Sequence, residues 1–549
     1  MNLIDNMVSA ISPKAGAKRA KKRLEISAFE MKRDAISSVS GKLGGLISNS
    51  GYSHGGASHE RPATKRWDSE SLSPERDIEE NRKTLRERSR DLYMNSPMGA
   101  AAINSTRTNV VGGGLIPKPR IDYDFLHIDR ETAEMMENAI KKEFALWAES
   151  TFCDNNDQNN FYELQQIAFA DWLKNGEEFC LIKYGDENPI MPYQLRLKLV
   201  EADRICSPDS YSGEYTGFKK QLSNGNKIMN GVEIDREGKV VAYYICSTFP
   251  GDNDYLEKTE WVRIEKRGKK TGNPNILHIF NAERADQYRG VPFLAPVIEA
   301  LKQVTRYTEA EITAAVLGAV FSVFVTTQNA VPPDYTGIDS DDALLEDEDK
   351  DEIVLSTGAS VHYLDENEDV KQIQAAHPSS SFDSFINAMS VHIGAALEIA
   401  PEVLQKKFAA SYSAAKGAMT ESWKTFRMRR AWFVRDFCQE VYNLWFNEAV
   451  SKGRIVAPGY FTNPLIRKAY TRCTWTGPAP GALDPGKEVD AAVKRIDAGL
   501  STHEEEAAAL NGSDFDDNVR TLEREYAMME NLPNQDSKNE NAGDKQEKS

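Results

Sequence analysis

From about residue 67 onward the apolar positions fall into clear helical and strand periods. Between 289 and 327 (RGVPFLAPVIEALKQVTRYTEAEITAAVLGAVFSVFVTT), Val297, Leu301, Val304, Thr308, Ile312 and Ala315 recur at three- and four-residue steps. That spacing stacks them on one helical face. Lys302, Arg306, Glu309 and Glu311 fall largely off the stripe, and Pro296 suits a first helical turn, where its missing N–H costs nothing. The short apolar run 319–325 has the character of a buried strand. Two readings compete: a core helix with its strand, and a membrane span. The apolar stretch 312–325 is shorter than the roughly 20 residues a bilayer requires, which disfavours the span.

Upstream, 84–120 (TLRERSRDLYMNSPMGAAAINSTRTNVVGGGLIPKPR) predicts a helical face from Leu85 to Leu92 and a restart at Pro97. A second, small-residue helix over 99–111 leads to Gly112–Gly114, which permit a turn with positive φ. Another helix carries Phe144 and Trp147, and a further stripe is Phe161, Leu164, Ala168 and Trp172. Just before it, DNNDQNN (154–160) has the acidic look of a calcium loop. It lacks the glycine at the sixth position and has Gln165 at the twelfth, so it reads as a helix-capping linker. From 181 to 280 the period changes to two. YQLRLKLVEADRI and VEIDREGKVVAYYICS alternate, the second around a hairpin turn at 235–238, and WVRIEK and ILHIF add short strands.

Phe382, Phe385, Ile386, Met389, Ile393 and Leu397 mark a helix, with Ser381 placed to cap it and Pro401 to end it. In 408–450, Trp423, Phe426, Phe433, Phe437 and Trp445 alternate with Lys424, Arg427, Arg429, Arg430 and Arg435. Such interleaving serves base stacking in nucleic-acid binders. On a helix it more often marks a packed stripe beside a solvated one, and packing is the reading favoured here.

At 549 residues the chain exceeds one core, and three or four structural units are expected. Cys153, Cys180, Cys206, Cys246, Cys438 and Cys473 are scattered with no CxxC pair, which suits a reducing cytoplasm rather than a disulfide framework or structural zinc. The N-terminal segment lacks the apolar core of a signal peptide. A net charge of −17 argues against a chain built to clamp nucleic acid, although solubility alone accounts for it. Residues 1–60 hold a basic cluster (Lys14, Lys18, Arg19, Lys21, Lys22, Arg23, Lys32, Arg33) that fits DNA, an acidic partner or a solvated helix equally. The Gly-, Ser- and Asn-rich 41–60 and the polar tail 531–549 are expected to be disordered, and the acidic run 339–352 to be a solvated loop.

Catalytic signatures are scarce. GALDPGK (481–487) satisfies G-x-x-x-x-G-K, but Glu488 follows where Ser or Thr would hold Mg²⁺ and would repel phosphate, so the match is a coincidence. No HExxH or GxSxG occurs, His278, His362, His377 and His392 are dispersed, and the pair Asp341–Asp342 has no matching acidic cluster. No catalytic residue, metal or cofactor is expected.

Several stretches resemble the lambda-type family of tailed-phage portal proteins, in the family's order. They are 289–312, 84–120, the YSAAKGAMTESWKTFRMRR run, and WTGPAPGALDPGKEVDAAVKRIDAGLST with its continuation to Met528. The last is the most specific. The resemblance implies an α+β portal fold with wing, stem, clip and crown, assembled as a ring, typically of twelve copies, around a central channel at one capsid vertex. Its implied divisions are a basic, disordered arm (1–60), a first wing part (61–160), a stem helix (161–180), a β-rich clip (181–285) and a second stem helix (286–315). Then come the wing again (316–480), with long helices and a channel loop near 365–381, a helical crown region (481–531) and a disordered tail (532–549). It further implies double-stranded DNA in the channel during packaging and ejection. Partners would be the terminase large subunit, the major capsid protein with scaffold, and head-completion or connector proteins, with no membrane involved. The place would be the virion, and the host cytoplasm during assembly. Twelve copies at −17 each total −204, a wall that lets DNA slide, so any grip would fall to sparse bases: Lys371 in the channel loop, Lys302 and Arg306. A DNA-processing enzyme and a capsid adaptor without a channel are the rival classes.

Overall fold

The computed structural model describes residues 18, 21–22, 26–27, 57–59, 61–67, 69–208, 222–250, 259–319, 323–327, 368–372, 381–408, 411–481 and 484–530. Residues 1–72 form one unit and Ser73–Ser549 another. In the first, Lys18, Lys21 and Lys22 are helical and exposed, and 61–67 makes a turn in which Thr64 and Lys65 donate to the Arg61 carbonyl. The rest of the basic cluster, the acidic run and the tail lie outside the described residues.

In the second unit, continuous secondary structure starts with a π-helical turn, Glu75–Glu79, somewhat later than Trp67. Helix α1 (Glu80–Asn95) and α2 (Pro97–Val110) are separated by Ser96, whose extended backbone and side chain cap α2 ahead of Pro97. Gly112 and Gly114 then take positive φ, as expected. Strand β1 (Ile116–Pro119) and helix α3 (Arg130–Ala148) follow. The 154–160 linker folds on Asp154, whose carboxylate accepts the backbone N–H groups of Asn156, Gln158 and Asn159. Asn160 and Glu163 then close a reciprocal capping box on α4 (Phe161–Asn175).

The helix expected over 161–180 stops at Asn175. Gly176 is left-handed, and the chain becomes strand β2 (Glu177–Tyr184). Nor does α4 carry a single apolar stripe: ten of its residues are buried, including Gln165, Asp171 and Asn175. It is the central helix of the core, where Phe161, Phe169 and Trp172 meet the rings of Phe144, Trp147, Phe433 and Phe437.

The β-rich segment forms two antiparallel sheets. Strands β3 (Leu195–Val200), β2 and β8 (Ile276–Phe280) make one, in the order β3-β2-β8. Strands β4 (Lys227–Met229), β5 (Val232–Ile234), β6 (Val240–Cys246) and β7 (Trp261–Glu265) make the other, in sequence order, with the expected turn closed by the Asp235–Gly238 hydrogen bond. The three-stranded sheet is buried on both faces. Cys180, Leu195, Leu197, Leu277 and Ile279 join the large helical core, whereas Phe179, Leu181, Val200 and Ile276 join a second core with Val232, Ile234, Tyr243 and Ile245. The β-rich segment is thus built into the body.

After β8 the stretch 286–294 is not helical, contrary to the expected second stem boundary. A 3₁₀ turn (Ala295–Val297) leads into α5 (Ile298–Ala319). Strand β9 (Val323–Thr327) pairs antiparallel with β10 (Glu368–Gln372), so part of the expected channel loop is a strand, and the remainder lies outside the described residues except Ser381. Helix α6 (Phe382–Leu397) returns against α5, with Tyr307 packing on Phe382 and Phe385. Ser381 does not cap it through its side chain, and Glu398 in the left-handed region ends it; Pro401 instead opens the next helix, α7 (Pro401–Gln405).

Helix α8 (Tyr412–Phe433), a π turn (Val434–Cys438) and α9 (Gln439–Ser451) run on as one rod. Its five singled-out aromatics are all buried, so packing rather than base stacking explains them. Arg430 donates to the carbonyls of Asn109, Val110 and Pro478, and the Arg429 guanidinium lies 4.6 Å from the Phe293 ring. Helix α10 (Pro464–Thr471) and strand β11 (Cys473–Thr476), paired with β1, precede α11 (Pro485–Asp497), α12 (His503–Leu510) and α13 (Phe515–Glu530).

Candidate functional site: a charged junction and an exposed helical limb

The chain enters the β-rich segment at Gly176 and leaves it at Gly290, and the two passes touch. A Cβ on Gly290 would sit 2.0 Å from the Gly176 carbonyl oxygen, and one on Gly176 would sit 2.3 Å from the Val291 carbonyl carbon. Only glycine admits so close a backbone crossing. Phe293 N–H then donates to the Leu173 carbonyl at 2.9 Å, returning the chain to α4.

Around this crossing lies a buried charge cluster. Glu177, fully buried, accepts from Arg86 (2.7 Å), Arg289 (2.7 Å), the His278 ring (3.0 Å) and the Gly290 N–H (3.0 Å). Arg289 also donates to the carbonyls of Ala202, Ile205 and Asn230, and Arg86 reaches Asp203 at 3.1 Å. Burial alone would push the Glu177 carboxyl up; Arg289, the His278 hydrogen bond and Arg86 overcome it and hold the group well below the carboxylate range. Its sequence neighbour is in the opposite condition. Glu178 is buried, both its oxygens lack a hydrogen-bond partner among the described residues, and burial, with Asp171 and Glu201 adding repulsion, pushes its carboxyl well above that range. The one candidate histidine in this region, His278, is a structural group in this cluster.

This junction was missed in the sequence. Its members stand far apart in the chain, and only the invitation of Gly-Glu-Glu at 176–178 and Arg-Gly at 289–290, charges at predicted strand and helix edges, offered a signal.

The α5–α6 limb holds the expected DNA-contact residues. Lys302 and Arg306 are exposed one turn apart on α5; Lys302 Nζ is 3.9 Å from Asp91, and Arg306 forms no ion pair with a described residue. Lys371 stands opposite Phe324 in the β9–β10 register. The apolar stripe of α5 begins buried at Val297, Leu301 and Val304 but ends exposed, with Ile312 at 59% and Val316 at 54%. On α6, Phe385 and Val391 are exposed too.

Elsewhere, Asp484 accepts the Lys487 N–H and its carboxylate holds Lys487 Nζ at 2.8 Å, so the G-x-x-x-x-G-K lysine is engaged in a helix cap. Among the described residues no three His, Cys, Asp or Glu side chains group as a metal site, and no helix is long and apolar enough to cross a membrane.

Together these features define a mixed α+β protein whose notable chemistry lies at a structural joint and on open surfaces. The family described as "Phage portal protein, lambda family" matches residues 60–430, and the chain belongs to that family. It is 25% identical to Portal protein B of Escherichia phage lambda over 532 residues, covering 91% of this chain and 95% of that one. It is 24% identical to the portal protein of Escherichia phage N15, covering 85% and 88%. Similar solved structures include the virion of a native gene transfer agent particle (TM-score 0.37, 14% identity, 79% of this chain and 94% of that chain). Another is the neck of an empty particle of that agent (TM-score 0.38, 13% identity, 77% and 94%).

Proposed function

We propose that this chain is the subunit of a ring at one capsid vertex through which double-stranded DNA is packaged and ejected. In this reading the ring docks the terminase motor and later the head–tail connector. Family membership supports the portal role. The observation that carries the assembly is the exposed apolar end of α5. Contiguous apolar faces on a soluble protein mark contact sites, and full burial of an Ile or Val is worth about 1.5–3 kcal/mol. Subunits then join through α5 and α6 rather than through α4, ten of whose fifteen residues are already buried in the subunit. By the same reasoning the β9–β10 ribbon carried between α5 and α6 is the part that meets the motor, and the strands β2, β3 and β8, packed on the helical core, are not. Lys302, Arg306 and Lys371 belong to this limb and its ribbon and are the proposed DNA contacts.

Negative-stain imaging with native mass measurement tests the proposal. Rings with a central hole, of about twelve copies, are expected from the full chain, and Ile312→Glu with Val316→Glu should leave folded monomers. Rings persisting in that variant, or a wild-type chain that stays monomeric, would overturn it.

A further inference from the structure

A cleft of about 390 Å³ opens between the β7–β8 turn and helices α9 and α10. Three cations line it: Arg267 on the turn, and Arg467 and Lys468 on α10. The facing acid is Glu440, and none of the three cations pairs with a described carboxylate. On a chain of net charge −17 this is a local inversion of sign. The turn is held rigid by its own backbone: Gly268 N–H donates to Asn273 O at 2.9 Å and Gly272 N–H to Gly268 O at 2.8 Å. Arg267 is fixed on it by a 3.1 Å hydrogen bond to the Gly272 carbonyl, and the Arg467 guanidinium rests 5.7 Å from the Tyr460 ring. Lys270, next along the turn, adds a further exposed cation.

We propose that this cleft binds the sugar–phosphate backbone of duplex DNA, at a place separate from the α5–α6 limb. Two pre-oriented guanidinium forks match the geometry of phosphate oxygens, and Lys468 adds a point charge beside them. Asn273 and Asn443 supply neutral donors on the walls. The choice of DNA as the polyanion rests on the proposed portal role; the positive cleft does not. Phe461 before α10 and Leu465 on its first turn, both exposed, make an acidic protein segment the competing ligand.

The test is fluorescence anisotropy of the full chain with a labelled duplex of about 30 base pairs across a salt series, with native mass read on each sample. Neutralising Arg267, Arg467 and Lys468 to Gln removes three phosphate contacts, so the plot of log K against log salt should flatten by about 2.7. Between about 50 and 200 mM salt the wild type should therefore lose about 40-fold more affinity than the variant. Lys468→Gln alone, on an exposed helical position, should flatten the slope by about 0.9, and Arg267→Lys with Arg467→Lys should keep it. An unchanged slope in both neutralised variants overturns the proposal. So does an equal flattening in a control elsewhere on the surface, Arg88→Gln with Lys424→Gln and Lys494→Gln, exposed positions on α1, α8 and α11. Polyglutamate competing as well as duplex at equal charge would assign the cleft to acidic protein instead. Rings that still assemble while the slope is unchanged would sink the cleft alone and leave the portal reading intact.

Discussion

Replacing Glu177 by Gln removes the one fully buried anion at the junction and leaves Arg86 and Arg289 facing each other with almost no solvent. Arg86 is 2% exposed and Arg289 is 0%, so neither can be rescued by water. Asp203, the remaining carboxylate beside Arg86, is bound to Arg90 as well. Breaking a buried ion pair from one side costs about 3–5 kcal/mol, because it strands the other charge. For a unit of roughly 480 residues the unfolding entropy near the midpoint is about 1 kcal/mol per kelvin, so Tm should fall by about 3–5 °C if Ser73–Ser549 melts as one. The sign with pH follows from the depressed carboxyl. Its contribution is fully present above the ordinary carboxylate value of about 4.3 and is lost as pH falls through the lower folded value. Differential scanning calorimetry from neutral pH downward should show the gap between wild type and Glu177→Gln narrow in acid. A Tm change under about 1 °C at neutral pH, or a gap that widens in acid, would refute the assignment of Glu177 as the joint's essential charge.

Glu178→Gln should act in the opposite direction. The raised carboxyl keeps its full contribution below about pH 4.3 and loses it as pH rises through the folded value, so the variant should be more stable than wild type at neutral pH, by calorimetry. Gly290→Ala should yield little folded protein, since its Cβ would stand 2.0 Å from the Gly176 carbonyl oxygen and 2.5 Å from its carbonyl carbon, both backbone; soluble yield and circular dichroism would show it. The C-terminal helices should be salt-sensitive. Helix α13 buries no residue, while Lys118, only 12% exposed, lies within 3.1 Å of Glu504, Asp514 and Asp516. Lys118→Ala should speed hydrogen exchange over 515–530 by several-fold at low salt, about 1 kcal/mol, and the difference should shrink at about 1 M salt.

Much of the local structure was legible in the residues. The three- and four-residue steps of Val297 through Thr308 gave α5, the alternation of 195–200 gave β3, and the 154–160 linker announced a capped start for α4. These are contacts between near neighbours, and the chain encodes them directly. The expected end of α4 was wrong where a local stop signal and a tertiary contact coincide: Gly176 caps the helix in the left-handed conformation, and the second pass of backbone crosses it there. The exposed Lys302 and Arg306 could be placed on a helical face from spacing, yet the cleft cations Arg267 and Arg467 could not be brought together, being 200 residues apart on a turn and a helix.

By itself, then, the sequence determined the periods and the order of family signatures. Only the tertiary structure decided that α4 is mostly buried while Ile312 and Val316 on α5 are exposed. It also decided that Glu177 and Arg289, 112 residues apart, share one buried site, and that the β-rich segment is part of the body. The physical reason is common to all three. Periodicity reports that a face is apolar, but what covers that face, and which charge meets which inside, depends on chain segments brought together by the fold.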